Sequence, residues 1–436
     1  MKVVIVGNGI AGNEVAYNIR SKGKDTEIVI ISAEGSPEYD PCSLPYFVSG
    51  DVKKEAVFRK KMEDYQKAGI QLILNDKAIS INAEAKTIET ESGRTINYDK
   101  LVLAHGGDLF IPPLPGVEKQ GTFSCKKLSE AERLFNHKGK AAVVIGSGAI
   151  GIEVAEALKK RNFEVYIVEL LEWILPTLCC EPTARRLEEK LRENGIQVYT
   201  GEKVTSIEGS NSVNGVKTDK RFIPCDTVVI ATGVVPGKQL AQSAGIEVNR
   251  GIKTNEFMET NIDSIYACGD CVETFDTCTG EGCVYQLKHN AIDQAQIVAE
   301  NIAGRKTKYG GAYAFARIHF FDTHAVSFGK TLRGATRICS LDDLDIIEQS
   351  YNGEYLRLIL KDGKVIGGQA IGEIANFSGL FLSAMRRKDD LSEIRRRWEL
   401  ISRFDSPYPW NYREMGRIMG LTSNGWESIN KIMTSL

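Results

Sequence analysis

Two segments of the 436-residue chain have the glycine spacing G-x-G-x-x-G directly after a short apolar run. They are Gly7, Gly9 and Gly12 in the first segment, and Gly146, Gly148 and Gly151 in the second. Glycines at this spacing permit a tight strand-to-helix turn and let backbone N–H groups approach a pyrophosphate at the positive end of the helix dipole. Because a helix-like stretch and a further apolar run follow each segment, the sequence predicts two dinucleotide-binding βαβ units.

An acidic residue follows each glycine segment at a distance that suits ribose binding. Glu34 lies 22 residues after Gly12, and Glu169 lies 18 residues after Gly151. A carboxylate about 20 residues beyond the glycines accepts hydrogen bonds from ribose hydroxyls. In the first unit either Ser32 or Glu34 could serve, and the sequence leaves this open.

Glu169 also predicts which nucleotide the second unit prefers. A carboxylate at this position repels a 2′-phosphate, and residues 170–173 contain no arginine or lysine to pair with one. The second unit should therefore bind NADH in preference to NADPH.

One of the ten cysteines has the surroundings of a reactive thiol. Cys42 follows Pro41 shortly after the first unit and precedes a short helix-like run that begins at Leu44. A helix N-terminus favours the thiolate, and a thiolate can carry electrons onward as a disulfide, sulfenate or persulfide. No second cysteine lies at the C-x4-C spacing of a redox dithiol. We therefore predict that Cys42 acts as a single redox-active cysteine.

Four further cysteines form the array C-x2-C-x6-C-x4-C, namely Cys268, Cys271, Cys278 and Cys283. Such an array could hold zinc or an iron–sulfur cluster. The first two, however, flank Asp270, which follows a predicted strand where a ligand would be contacted. We therefore expect no metal and interpret these cysteines as core or loop residues.

The same order of predicted elements occurs twice along the chain, and a different order follows it. Each half has a glycine turn, a β-meander and a closing strand, Leu101–Gly106 in the first half and Val228–Gly233 in the second. Proline-rich linkers over 111–116 and 233–237 follow the closing strands. From about residue 315, alternating strands and two amphipathic helices indicate a separate domain.

The predicted fold class is α/β, with two Rossmann-like dinucleotide-binding domains and a C-terminal α+β domain. The predicted limits are 1–110 and 237–312 for the first domain, 111–236 for the second and 315–436 for the third. The two helices of the third domain are expected over Ala375–Arg387 and Leu391–Ser402.

The composition is that of a globular protein without a nucleic-acid or membrane partner. Hydrophobic residues make up 42% and charged residues 26%, and the formal net charge is −2. Proteins that bind nucleic acid or anionic membranes carry a basic excess, which is absent here. The first residues enter a buried-strand pattern directly, and no apolar run is long enough to span a bilayer. We expect a cytoplasmic protein.

In these motifs the sequence resembles the pyridine nucleotide–disulfide oxidoreductase superfamily, over roughly residues 1–330. The resemblance implies FAD in the first unit, NAD(H) in the second, and hydride passed from the nicotinamide to the flavin. The implied FAD contacts are Gly7, Gly9, Ile10, Ala11, Gly12, Ser32, Glu34, Ala78, Ala104, Gly106 and Asp270. The implied NAD(H) contacts are Gly146, Gly148, Ile150, Gly151, Glu153, Glu169 and Gly233.

Two details of this resemblance concern the flavin directly. Asp270, in the Gly-Asp motif, is implied to bond the ribityl chain. His105 stands where the superfamily usually has the threonine of Ala-Thr-Gly. We interpret it as a structural substitution, with tuning of the flavin as the alternative.

The single cysteine ahead of Leu-Pro-Tyr resembles the subgroup of CoA-disulfide reductases, polysulfide reductases, NADH oxidases and NADH peroxidases. By this resemblance Cys42 attacks a disulfide or sulfur chain and is regenerated through the flavin. The acceptor would be a small disulfide, a polysulfide, CoA disulfide, O₂ or a peroxide. For a CoA phosphate the first helix offers only Arg20 and Lys22.

Other segments resemble a different class of flavoprotein. Gly7–Gly12 and Gly282–Leu287 are also similar to the flavin modules of nitrite reductases and to rubredoxin-type reductases. In those proteins electrons leave singly to an iron–sulfur or other redox protein partner, which would make Cys42 incidental. The C-terminal domain resembles the dimerisation domain of the single-cysteine subgroup. This implies a homodimer in which C-terminal residues such as Tyr408 and Tyr412 approach the flavin.

Overall fold

Two sheets of buried parallel strands organise the structure. The computed structural model describes residues 1–23, 25–336, 339–402 and 423–436. The chain divides into two compact units, which are described separately. The first unit comprises Met1–Pro113, Phe123–Lys138 and Ile230–Tyr313, and the second comprises Leu114–Thr122, Gly139–Val229 and Ala314–Leu436.

The described helices are α1 (Ile10–Lys22), α2 (Leu44–Ser49), α3 (Met62–Ala68), α4 (Leu128–Asn136), α5 (Ala149–Lys160), α6 (Glu181–Glu193), α7 (Gln239–Ser243), α8 (Lys288–Ile302), α9 (Leu332–Ala335), α10 (Ser378–Arg387), α11 (Leu391–Ser402) and α12 (Ser423–Ser435). The strands of the first half are β1 (Lys2–Val6), β2 (Glu27–Ile31), β3 (Ile70–Ile73), β4 (Ala78–Asn82), β5 (Thr87–Thr90), β6 (Thr95–Asn97), β7 (Lys100–Leu103), β8 (Gly107–Leu109) and β9 (Thr122–Phe123). Those of the middle are β10 (Ala141–Ile145), β11 (Glu164–Val168), β12 (Ile196–Tyr199), β13 (Val204–Glu208), β14 (Gly215–Thr218), β15 (Phe222–Pro224), β16 (Thr227–Ile230), β17 (Val234–Pro236), β18 (Ile252–Lys253), β19 (Ile265–Ala267), β20 (Val272–Phe275) and β21 (Gly282–Cys283). The C-terminal strands are β22 (Phe315–Phe320), β23 (Thr323–Gly329), β24 (Leu344–Tyr351), β25 (Glu354–Lys361) and β26 (Lys364–Ile371).

A five-stranded parallel sheet forms the core of the first unit, in the order β19-β7-β1-β2-β3. Val3, Val4 and Ile5 of β1 are fully buried, which is why this central strand is a continuous apolar run. Helices α1 and α8 pack against each other in this unit, and β4, β5 and β6 form an antiparallel meander. The structure thus confirms the predicted first βαβ unit and its inserted meander.

Two segments of the first unit differ from the sequence-based expectation. The predicted linker 233–237 contains β17, which pairs antiparallel with β8, because its β-branched residues suit extended backbone. The segment Phe123–Lys138 also belongs to this unit, where α4 packs on α2. The rings of Phe47 and Phe135 stack there with centroids 4.8 Å apart, and Lys54 forms an ion pair with Glu132.

The second unit contains a further sheet of the same kind, in the order β12-β11-β10-β16-β9. Strands β10, β11 and β12 are parallel, with α5 between β10 and β11 in the chain. Strands β13, β14 and β15 form an antiparallel meander. The predicted second βαβ unit is therefore confirmed.

An antiparallel sheet, β22-β23-β26-β25-β24, makes up the C-terminal part of the second unit. The expected helix over Ala375–Arg387 is shorter, since a 3-10 turn over Glu373–Phe377 precedes α10. This turn is held by the Glu354 carboxylate, which accepts hydrogen bonds from the backbone N–H groups of Glu373 (3.0 Å) and Ile374 (2.7 Å). Helix α11 has its predicted bounds.

Hydrogen bonds join the C-terminal sheet to the second nucleotide fold within this unit. The backbone N–H of Phe321 donates to the Glu156 carboxylate at 2.8 Å, and that of Leu332 donates to the Cys180 sulfur at 3.2 Å. Tyr408 and Tyr412 lie outside the described residues. In the part of the chain that the structure describes, no helix is long and apolar enough to cross a membrane.

Candidate functional site

Two glycines fix the shape of the first glycine turn, between β1 and α1. Gly7 has a φ of 114°, and a Cβ atom there would lie 2.3 Å from the backbone oxygen of Ala104. A Cβ atom at Gly12 would lie 2.0 Å from the backbone oxygen of Gly7. The approach of the turn to the segment after β7 therefore requires Gly7, and the approach of α1 to the turn requires Gly12.

The middle glycine of this turn borders open space. A Cβ atom at Gly9 would meet no described atom within 4 Å. Gly9 is also the N-cap of α1, and no side chain caps this helix end. The backbone N–H groups that begin with Ile10 and Ala11 therefore offer donors to an anion at the positive end of the helix. A pyrophosphate requires an open, donor-rich turn of this kind, so these residues fit a dinucleotide.

Asp270 lies beside the same helix end. A Cβ atom at the preceding Gly269 would lie 3.0 Å from that of Ala11. Burial raises the pKa of the Asp270 carboxyl, and Lys126 partly opposes this shift. The carboxyl group makes no hydrogen bond within the described chain, so it is available to hydroxyl donors of a ligand. Lys126 comes from the segment before α4, and nothing in the local sequence indicated its place.

The geometry distinguishes the two candidates for the first ribose. The Ser32 hydroxyl is engaged in its own turn, at 3.1 Å from both the backbone N and O of Glu34. One oxygen of the Glu34 carboxylate accepts a hydrogen bond from the Tyr39 hydroxyl at 2.9 Å. That hydroxyl in turn accepts one from the Leu128 backbone N–H at 3.2 Å. Glu34 thus keeps one oxygen for a ligand, and Tyr39 holds the carboxylate in place.

The remaining predicted FAD contacts lie at the start of β4 and in the loop after β7. Ala78, at the start of β4, and Ala104 are buried, and Gly106 has a φ of 75° with open space at its Cβ position. Between the last two, His105 places Nε2 2.8 Å from the backbone oxygen of Gly237, so the ring proton lies on Nε2. Burial lowers the pKa of His105, whose Nδ1 has no partner within the described chain. A neutral ring that ties two loops together fits the structural interpretation.

A network of buried polar groups forms hydrogen bonds to the backbone of the first glycine turn. The Tyr65 hydroxyl donates to the Asn13 side chain at 2.8 Å and accepts from the Glu38 backbone N–H at 3.1 Å. The Asn13 amide donates to the backbone oxygens of Asn8 (2.9 Å) and Gly9 (3.1 Å). Because these groups are buried, they fix the turn through satisfied hydrogen bonds.

Glu38 makes the stability of this network depend on pH. Burial raises the pKa of its carboxyl from 4.5 to about 7, although Arg59, 3.4 Å away, opposes the shift. Between pH 4.5 and about 7 the unfolded chain has lost this proton while the folded chain keeps it, so stability falls as pH rises. We expect Glu38→Gln to remove a decline on the order of 1–3 kcal/mol between pH 5 and 8, measured by urea unfolding. Glu63→Gln, at an exposed position of α3, should retain the wild-type decline, and an unchanged decline in Glu38→Gln would contradict the assignment.

The second glycine turn, between β10 and α5, repeats the features of the first. Gly146 has a φ of 102°, and a Cβ atom at Gly148 would meet nothing within 4 Å in the described chain. Gly148 is the N-cap of α5, again without a side-chain cap. Ile150 is exposed in the first turn of α5, and Gly151 is buried. This turn therefore also fits a dinucleotide phosphate.

Glu169, at the end of β11, is fixed against this second turn. One of its oxygens accepts from the backbone N–H (2.9 Å) and the hydroxyl (2.6 Å) of Ser147. The other accepts from the backbone N–H of Leu171 at 2.9 Å. A buried carboxylate so close to the glycines has the placement that the sequence predicts. Gly233, predicted to belong to the same nucleotide site, lies in the first unit with a φ of 105°.

Glu153 faces a second carboxylate within α5. Burial and the neighbouring Glu156 raise the pKa of Glu153 to about 7. Glu156 accepts hydrogen bonds from the backbone N–H of Phe321 (2.8 Å) and from Lys160 (3.0 Å). A proton is therefore bound to Glu153, close to the nucleotide turn, up to a higher pH than in an exposed carboxyl group.

Cys42 is the exposed member of the ten cysteines, all of which lie in the described chain. It sits in the 3-10 turn Pro41–Ser43 that leads into α2. Asp40 caps this turn by accepting a hydrogen bond from the Cys42 backbone N–H at 3.1 Å. The other oxygen of Asp40 pairs with Lys288, the first residue of α8, at 2.5 Å. Cys42 thus lies at the start of a helical segment, as predicted. The ion pair with Lys288 holds Asp40, and through it the turn that contains Cys42.

The other cysteines have a different character. Seven are buried, and Cys278 and Cys339 are partly exposed. The Cys271 thiol donates to backbone oxygens of Leu103 (3.4 Å) and Cys268 (3.3 Å) in the core of the first unit. Among the described residues no three histidine, cysteine or acidic side chains are placed to hold a metal.

Comparison with known proteins agrees with the family resemblance that the sequence motifs indicate. Residues 1–295 match the family model described as pyridine nucleotide-disulphide oxidoreductase. An NADH oxidase of Methanocaldococcus jannaschii is 31% identical over 392 residues, which cover 85% of this chain and 88% of that protein. A nitrite reductase of Bacillus subtilis is 29% identical over 399 residues, which cover 90% of this chain but 48% of that protein. The solved NAD-dependent persulfide reductase from A. fulgidus superposes with a TM-score of 0.86 at 29% identity, over 96% of this chain and 84% of that one.

Two glycine turns that follow buried parallel strands, each with a carboxylate after the next strand, define a protein with two dinucleotide-binding folds. The chain belongs to the pyridine nucleotide-disulphide oxidoreductase family. It is an NAD(P)H-dependent oxidoreductase, and FAD and NAD(H) are its cofactors.

Proposed function

We propose that this protein reduces a small disulfide or persulfide-type sulfur compound with NADH, through FAD and Cys42. The observation that carries the proposal is the exposure of Cys42 on a turn fixed by Asp40, while the other cysteines are buried or partly buried. An exposed thiol can reach a soluble acceptor, whereas a core thiol cannot.

In this proposal the first unit holds FAD and the second holds NAD(H). The turn Gly7–Gly12 binds the FAD pyrophosphate, Glu34 the adenosine ribose and Asp270 the ribityl hydroxyls. The turn Gly146–Gly151 and Glu169 hold the pyrophosphate and adenosine ribose of NAD(H). When bound, FAD supplies the capacity to take a hydride from NADH and deliver an electron pair.

Cys42 performs the sulfur chemistry. Its thiolate attacks one sulfur of a disulfide RSSR, so that a Cys42–S–S–R bond forms, the original S–S bond breaks and RS⁻ leaves. The electron pair from NADH then cleaves the mixed disulfide and restores the thiolate, with release of a second RS⁻. The sum is NADH, RSSR and one proton converted to NAD⁺ and two RSH.

The structure favours acceptors that do not require a CoA phosphate site on α1. The Arg20 guanidinium donates to the backbone oxygens of Thr26 (2.8 Å) and Gly69 (2.9 Å), and Lys22 pairs with Glu300 at 3.1 Å. Both cations are therefore occupied by the fold. O₂ and peroxide remain acceptors to be compared, because a relative is named an NADH oxidase.

A second candidate function is transfer of electrons to a redox protein partner. The observation that favours it is the match to a nitrite reductase of which this chain covers 48%, so that the rest of that protein lies beyond the matched flavoprotein part. In this case the sulfur of Cys42 would take no part, and an iron–sulfur protein would be the acceptor.

A turnover screen separates these functions. NADH is offered with a small disulfide, polysulfide, CoA disulfide, O₂, H₂O₂ and a one-electron dye, to wild type, Cys42→Ser and the matched control Cys278→Ser. The proposal expects a sulfur acceptor to be reduced by wild type and the control but not by Cys42→Ser. Turnover of the dye alone, equal in all three proteins, would contradict it and support the second function.

We also propose the three predicted domains, with Phe123–Lys138 and residues 230–236 counted with the first of them, a cytoplasmic location, and a homodimer formed through residues 315–436. The dimer is tested by light scattering of the full chain, for which twice the monomer mass of 48.2 kDa is expected.

A further inference from the structure

A lysine distant in sequence is connected, through Gly201, to the loop that follows Glu169. Lys220 is in the turn between β14 and β15, and its amine donates a hydrogen bond to the backbone oxygen of Gly201 at 2.7 Å. The Thr218 hydroxyl organises this turn by accepting from the backbone N–H groups of Lys220 (3.1 Å) and Arg221 (2.9 Å). The residues that directly follow Glu169 contain no such cation.

Gly201 is connected to the Glu169 loop by backbone hydrogen bonds. The Gly201 N–H donates to the backbone oxygen of Leu171 at 2.7 Å, and the Glu202 N–H donates to that of Glu169 at 3.0 Å. Gly201 has a φ of 61°, and a Cβ atom there would meet nothing within 4 Å in the described chain. The amine of Lys220 is therefore held at Gly201, which borders open space and is bonded to the loop that follows Glu169, the loop near which the ribose of the cofactor is expected.

The neighbouring arginine has a different task. The Arg221 side chain lies 3.0 Å from the carboxylate of Glu202, which is 2% exposed, and its guanidinium stacks over the Tyr199 ring at 4.2 Å. It thus neutralises a buried charge. Lys220 is exposed and has no carboxylate partner among the described residues, so its long side chain can reach a ligand.

We propose that the adenosine end of the NAD(H) site carries opposed charges, with Glu169 excluding a 2′-phosphate and Lys220 attracting one. Glu169 alone then sets the preference for NADH, and loss of its charge is sufficient to admit NADPH. This inference rests on the assignment of the turn Gly146–Gly151 to NAD(H).

Equilibrium binding of NAD⁺ and NADP⁺ to the FAD-loaded protein, by calorimetry, tests the proposal without turnover. Wild type should bind NAD⁺ at least about tenfold more tightly than NADP⁺. Glu169→Gln should bind NADP⁺ at least about tenfold more tightly than wild type does, because the repulsive charge is gone. Adding Lys220→Met should reverse about tenfold of that gain, while adding Lys217→Met, on the same hairpin, should change it less than about twofold.

Each outcome has a defined meaning. If Lys220→Met and Lys217→Met act alike in the Glu169→Gln background, the role of Lys220 is overturned while the cofactor site stands. If wild type binds neither nucleotide, the site assignment itself is overturned. Should Glu169→Gln fail to fold, Lys220→Met in wild type must weaken NADP⁺ more than NAD⁺, and an equal effect on both overturns the inference.

Discussion

Replacement of Cys42 by serine should reduce NADH-dependent turnover of a small disulfide by at least about a thousandfold. The hydroxyl of serine is far less acidic than a thiol, so it cannot attack a disulfide sulfur or form the mixed disulfide at neutral pH. Reduction of bound FAD by NADH does not need this side chain, and its rate should change less than about twofold. Steady-state turnover and stopped-flow flavin bleaching in the same samples measure the two steps separately.

Cys278→Ser is the matched control for this experiment. It removes another thiol of the first unit, from a partly exposed position in the hairpin after β20. Its turnover should equal that of wild type. If Cys42→Ser also turns over the disulfide at the wild-type rate, the redox role of Cys42 is wrong and transfer to a protein partner becomes the better account.

The first glycine turn should respond in two opposite ways to the same added methyl group. A Cβ atom at Gly12 would lie 2.0 Å from the backbone oxygen of Gly7, which cannot move without shifting α1 from β1. We therefore expect Gly12→Ala to lose about 3 kcal/mol of unfolding free energy even in the absence of FAD. Urea unfolding of the FAD-free protein measures this loss.

Gly9→Ala should leave the fold intact and damage the cofactor site. A Cβ atom there meets no protein atom within 4 Å in the described chain, so the unfolding free energy of the FAD-free protein should change by less than about 1 kcal/mol. The methyl group projects where the backbone would approach the pyrophosphate, and FAD should bind at least about tenfold more weakly by fluorescence titration. Unchanged FAD affinity in Gly9→Ala would place the cofactor elsewhere.

Features encoded by local sequence were predictable. The strands before each glycine turn are apolar throughout because parallel strands are buried on both faces, and the glycine spacing marks where each strand becomes a helix. Cys42 was recognisable because Pro41 before it and the helix-like run from Leu44 after it mark the start of a helical segment. The position of Glu169 next to Ser147 also follows from the fixed length of a βαβ unit.

The supports of the site come from distant parts of the chain and have no local signature. The charge of Lys126 opposes the raised pKa of Asp270 because Phe123–Lys138 joins the first unit, although this segment lies between the two folds in sequence. Lys288 pairs with Asp40 across 248 positions, and Lys220 meets Gly201 through a hairpin turn. Such pairings depend on tertiary packing, which periodicity and motif spacing do not encode.

An anaerobic titration with NADH tests most directly whether an electron pair passes from NADH through FAD to Cys42. The FAD-loaded protein is first oxidised with an excess of a small disulfide, which is then removed. Wild type should consume about two NADH per FAD, one for the Cys42 mixed disulfide and one for the flavin, and should release one RSH. Cys42→Ser should consume about one NADH and release none. A flavin that NADH does not bleach, or equal consumption by both proteins, would contradict the account.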